Sequence, residues 1–139
     1  MGAVSLDDLR RICIEAREAG RKALQERLRV RYGIELDPKE PIHYDPTILD
    51  RQVPIGGSGG STLVFYIDGR TATGKLLKAN PAPVPDVFII AHGHNEFAIG
   101  FRGIHNCQIA WMYDMVNEAA REVFERELGV KGFIRSYSD

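Results

Sequence analysis

A chain of 139 residues with 44% hydrophobic and 27% charged residues has the size and make-up of one globular domain, able to bury about two-thirds of its unfolded surface. A net charge of −1 provides no field to gather nucleic acid or anionic lipid, so there is no strong nucleic-acid signal, and no apolar run approaches the roughly 20 residues that span a bilayer. Two cysteines, Cys13 and Cys107, with no close spacing argue against a disulfide framework; the opening Met-Gly-Ala-Val-Ser-Leu-Asp-Asp has no signal-peptide character, and the expected location is cytoplasmic or in a virion.

The first segment, residues 1–36, is built on a long helix. Ser5 followed by Asp8 has the form of a capping box, and Gly33 suits a helix end. Between them Leu6, Leu9, Cys13, Ala16, Gly20, Leu24 and Leu28 recur at three- and four-residue steps and mark one apolar stripe. Arg10, Arg17, Arg21 and Arg31 fall on the far face, where they are either solvated or turned towards a partner. Residues 5–32 carry eight basic side chains against five acidic ones.

The second segment, residues 37–61, contains Pro38, Pro41, Pro46 and Pro54, which favour an extended path over helix or central strand. A long stretch of this kind reads as a surface crossover or as an arm laid on a neighbouring subunit, with Tyr44 and Pro46 as contact residues. It closes with Gly-Gly-Ser-Gly-Gly-Ser, from Gly56 to Ser61. That run is either a natural turn leading into a strand or an artificial linker replacing a loop.

The third segment, residues 62–139, alternates less and is richer in strand signals. Leu-Val-Phe-Tyr-Ile, ending at Ile67, predicts a strand, Asp68-Gly69 a hairpin turn, and residues 70–77 the returning strand. Residues 87–91 and 96–101 predict two more strands. Asn106 is placed to cap a second long helix with the stripe Ile109, Met112, Val116, Ala119, Val123 and Leu128, ended by Gly129; residues 132–137 predict a last short strand. Residues 108–128 hold five acids against two arginines, opposite in sign to the first helix. Strands grouped between two helices give an α+β class: a long N-terminal helix, an antiparallel sheet, a second long helix and a short final strand.

Two motifs bear on chemistry. Gly69 to Lys75 has the glycine and lysine spacing of a phosphate-binding loop, but Leu76 stands where a Mg²⁺-holding hydroxyl is needed, and Pro81 is expected to leave no room for the helix. His92, His94 and Glu96 follow the most apolar strand, and alternation puts them on one face if that strand continues. Two imidazoles and a carboxylate can hold Zn²⁺ with a position left open for water. Alternatively they form a polar turn of hydrogen-bonded histidines. Cys13 and Cys107 read as structural thiols. Trp111 and Tyr113, with Met112, Met115 and Val116, make both sides of the second helix's first turn apolar, which suits a thick core or a partner surface.

The His92-Gly93-His94 motif after a strand resembles the JAMM-type zinc metalloproteases, which follow His-x-His with Pro and, further on, a Ser and an Asp. Here Asn95 replaces the Pro, Gly103 falls at the Ser position and Asn106 at the Asp position, leaving Glu96 or His105 as the third ligand. The resemblance implies a zinc-dependent hydrolase or an inactive relative of one. Over a longer span the order of motifs resembles the tail-completion and minor-capsid (neck) proteins of tailed phages. The N-terminal helix is followed by Val53-Pro54-Ile55, Gly60 and Leu63, Ala98-Ile99-Gly100-Phe101, and then Tyr113 and Val116-Asn117-Glu118. The family's Thr-Gly-x-Leu has its counterpart only later, at Thr73-Gly74-Lys75-Leu76. This second resemblance implies a structural protein without catalytic residues or cofactor, acting through contacts with copies of itself or with other structural proteins and with no membrane. The leading expectation is assembly, with Arg10, Arg17, Arg21, Tyr44, Pro46, Trp111 and Tyr113 at interfaces; the alternative is zinc held by His92, His94 and Glu96.

Overall fold

The computed structural model describes residues 4–35, 41–42, 59–105 and 109–138. Helix α1 (Leu6–Tyr32) opens on the expected capping box: the Ser5 hydroxyl accepts from the Asp8 N–H at 3.1 Å, and the Asp8 carboxylate accepts from the Ser5 N–H at 3.3 Å. It ends at Gly33, whose positive φ of 66° turns its N–H back onto the Arg29 carbonyl. Among the described residues the chain then forms β1 (Gly59–Tyr66), α2 (Ala72–Ala79), β2 (Val87–His92), β3 (Glu96–Phe101), α3 (Ala110–Leu128) and β4 (Gly132–Ser138). The class is α+β.

The four strands form one antiparallel sheet in the order β2-β3-β1-β4. Helices α1 and α3 pack along each other, and α3 lies against β1 and β4. Leu63 stands beside Ile99 on β3 and Ile134 on β4, so this row of side chains points at the helices. There it meets Leu9, Ile12 and Ala16 of α1 and Val123 and Phe124 of α3 in the larger core cluster. The Phe65 and Phe124 rings lie 5.6 Å apart at its centre, both buried, and burying each contributes about 1.5–3 kcal/mol. A second cluster joins the other ends of the helices, with Leu24, Leu28, Met112 and Val116 around Ile34, Ile42, Ile104 and Ile109.

Several elements differ from the sequence expectations. The returning strand over residues 70–77 is instead helix α2, and Asp68-Gly69 is a strand-to-helix turn. Thr71 decides this: its hydroxyl accepts from the Gly74 N–H at 3.1 Å and donates to the Asp68 carbonyl at 2.6 Å. Two turns fit before Pro81 because Asn80 closes the helix, its amide donating to the Leu76 carbonyl at 2.9 Å. The last three residues of the glycine run belong to β1, where Gly59, Gly60 and Ser61 pair with Ser138, Tyr137 and Ser136. The stripe of α3 runs through Ala120 and Phe124 rather than Ala119, with Asn117 inside it. Ile109, which makes no side-chain cap bond, occupies the position before α3; Asn106, Cys107 and the expected arm lie outside the described residues apart from Pro41 and Ile42. On α1, Arg21 is buried rather than solvated.

Ion pairs of both senses join the long helices within the chain. Arg11 reaches Glu127 at 3.2 Å and Arg126 pairs with Glu15, bridging α1 and α3. Each pair is half-exposed or more on at least one side, so they set register more than they add stability.

Candidate functional site

The helices cover one face of the sheet; among the described residues no helix covers the other, termed the open face. Pairing places Val64, Ala98, Ile90 and Phe133 in one row across that open face, and Tyr66, Glu96 and His92 in the next. Val64 and Ala98 are buried within it, but Ile90 is 53% exposed, Tyr66 54% and Tyr137 52%. Tyr66 and Phe133 stack at 5.3 Å, the Arg135 guanidinium lies 5.5 Å over the Phe133 ring, and Arg102 sits 4.6 Å over Phe88. The result is an aromatic surface crossed by arginines.

His92, His94 and Glu96 do not continue one strand. The chain reverses between them: His92 pairs with Glu96 across the β2–β3 hairpin, while Gly93, His94 and Asn95 form its turn. His92 and Glu96 therefore share the open face, whereas His94 lines a separate cleft. The Glu96 carboxylate is engaged by Arg135, whose two Nη atoms lie at 2.8 and 3.4 Å. Hydrogen bonding from Arg135 holds its pKa below the usual carboxylate value, with a smaller contribution from the charge of His92. Among the described residues no group of three or more His, Cys, Asp or Glu is gathered as a metal site would need.

The cleft that takes His94 has a volume of about 620 Å³ and is lined also by Tyr66, Asp68, Arg70, Lys78 and Asn95. One carboxylate, Asp68, faces two cations there, Arg70 and Lys78. Asp68 accepts from Arg70 through both the backbone N–H (2.9 Å) and the guanidinium (3.0 Å), and these bonds hold its carboxyl at about 2. The α2 N-terminus resembles a phosphate loop in position only. The Gly74 N–H is taken by Thr71 and is not offered to an anion.

A smaller cavity of about 120 Å³ lies between β1, β3 and α3, lined by Ser61, Thr62, His105, Tyr113 and Asn117 among others. Buried Asn117 donates to the Ser61 hydroxyl at 3.0 Å and to its carbonyl at 3.2 Å. An amide donor does not activate a serine, so this pair fastens α3 to β1. The Cys13 thiol is buried and pushed up to about 12 by desolvation, which keeps it protonated and unreactive at neutral pH.

The expected interface residues have contacts inside the chain. Arg10 donates to the Pro83 carbonyl at 3.3 Å, Arg17 donates twice to the Arg102 carbonyl (2.8 and 3.1 Å), and Arg21 is buried. Trp111 is half-buried at 6.4 Å from Tyr32, and Tyr113 stands edge-on to His105 at 4.5 Å. Tyr44 and Pro46 lie outside the described residues. Sequence reasoning missed the exposed apolar residues of the open face. The signal was present in β4, where Phe133, Arg135 and Tyr137 alternate with Ile134, making both faces of the strand partly apolar.

No protein family, curated protein or solved structure matches the chain. None of its described helices is long and apolar enough to cross a membrane.

Proposed function

We propose that the protein is a structural or assembly protein, working through contacts with copies of itself or with other structural proteins, as in the phage neck and tail-completion proteins that its motif order resembles. The observation that carries this reading is the open sheet face. Ile90, Tyr66 and Tyr137 stay about half exposed there while the charged groups between them are already paired. Apolar and aromatic surface of this kind, with its polar groups compensated, fits a protein partner better than a reaction.

Native mass spectrometry over a concentration series tests it. The expected result is a discrete oligomer without added metal mass. A Tyr66→Lys/Ile90→Lys variant should retain its circular dichroism but dissociate to smaller species. A monomer at every concentration would overturn assembly from copies of the chain itself. Stoichiometric zinc that disappears in His92→Ala/His94→Ala would replace it with the hydrolase alternative.

A further inference from the structure

The two edges of the sheet are treated differently. The outer edge of β2 is covered by the preceding loop: the Ile89 N–H donates to the Pro81 carbonyl at 2.9 Å, and Val87 bridges to Val84. The outer edge of β4 has no such cover among the described residues. Its one partner there is the Glu125 carboxylate, which accepts the Gly132 N–H at 2.8 Å. That bond also fixes which groups point outward. With Gly132 directed away from β1, alternation sends the N–H and C=O of Ile134, Ser136 and Ser138 outward too. The other side of β1 agrees: the Ile67 N–H bonds towards β3, which leaves the even-numbered residues of β1 to bond with Phe133, Arg135 and Tyr137.

Protected edges carry Pro, Lys, a bulge or a covering segment. Gly-Phe-Ile-Arg-Ser-Tyr-Ser has no Pro or Lys, and its one charge, Arg135, is held by Glu96. We infer that β4 pairs with β4 of a second copy, antiparallel about a two-fold axis at Ser136, joining two four-stranded sheets into one. This rests on the assembly reading above and names its partner and contact.

The chain's own chemistry selects the register. Gly132 is already bonded to Glu125, so among the described residues the sites left without a partner are Ile134, Ser136 and Ser138, and only an axis at Ser136 uses all three on both copies. Ser136 then faces its own counterpart, and Ile134 faces Ser138. In this register Arg135 stands opposite Tyr137 of the second copy at the backbone, while its guanidinium stays on Glu96. An axis at Arg135 would pair Ser138 with Gly132, whose N–H Glu125 already holds. The two open faces become continuous across the junction, carrying Phe133 and Tyr137 from both copies.

Ser136→Pro removes an outward N–H without touching the β1 ladder, and proline is tolerated at a sheet edge. Two symmetry-related hydrogen bonds are lost per dimer, so the dissociation constant measured by sedimentation should rise by at least about tenfold. If wild type is an oligomer that Ser136→Pro leaves intact, the edge pairing is wrong and the assembly reading stands; a wild-type monomer sinks the edge pairing and self-assembly together. If Ser136→Pro loses its circular dichroism, Ser136→Cys in a Cys107→Ser background decides. Directly opposed residues lie about 5.5 Å apart at Cα, within disulfide reach, so rapid dimer cross-linking on mild oxidation is expected. Failure to cross-link in an oligomeric protein overturns the inference.

Discussion

Gly20 sits where α1 meets α3, and a Cβ there would stand 2.7 Å from Val116 Cγ1 and 2.9 Å from its carbonyl oxygen. Two effects oppose each other on substitution by alanine. Helix propensity favours alanine by about 1 kcal/mol, while overpacking costs about 1–3 kcal/mol. The carbonyl belongs to a helix backbone and cannot rotate aside, so the clash wins. Gly20→Ala should lower the urea midpoint, with Gly20→Val lowering it further; an alanine variant more stable than wild type would show that the helices can separate at no cost. The apolar stripe already put Gly20 on the buried side from sequence. The same stripe could not place Arg21 or Asn117. Arg21 is buried by the tertiary environment, and Asn117 is accommodated because Ser61, fifty-six positions away, accepts its amide.

At the scale of elements, what the sequence made legible is what is locally determined. Both long helices show their periodicity over many residues, and both end at glycines in the left-handed region. The hairpin strands β2 and β3 and the final strand β4 fall close to their expected limits. Helix α2 was missed because eight residues give too little periodicity to outweigh a turn signal, and because Pro81 bars a helix only from continuing past it. Its start depends on contacts rather than pattern: a Cβ at Gly74 would run into the Asp68 carbonyl and lie 2.7 Å from the Gly69 Cα. Thr71 is the test of this element. Thr71→Ala removes the acceptor for the Gly74 N–H and should cost about 1 kcal/mol, with faster amide exchange at the first turn of α2 and little change in α1. Unchanged exchange there would mean the helix start is held by the turn and not by its cap. The candidate site was less legible. The His92 and Glu96 pairing needed the turn at Gly93–Asn95, and the open edge of β4 needed the strand order, neither of which a local pattern carries.

Considered whole, the molecule has two apolar clusters among its described residues, and the question is whether they unfold together. The larger lies between sheet and helices around Phe65 and Phe124; the smaller holds Trp111, Leu28 and Met112 at the other ends of the helices. Either could melt alone if the connection were a loop. The connection is instead α1, 27 residues without a break, contributing Leu9, Ile12, Cys13 and Ala16 to one cluster and Leu24 and Leu28 to the other. Helix α3 spans them likewise, from Met112 to Phe124, and the Gly20–Val116 contact joins the two helices between the clusters. Unfolding one cluster would expose the stripe of a helix still needed by the other. Trp111, the chain's single tryptophan, reports on the smaller cluster, while far-ultraviolet circular dichroism reports on the whole. Their urea transitions should coincide, and Leu28→Ala, which costs about 2–5 kcal/mol, should move both midpoints equally. A tryptophan transition that precedes the dichroism change would show the smaller cluster opening by itself, with α1 acting as a hinge rather than a spine.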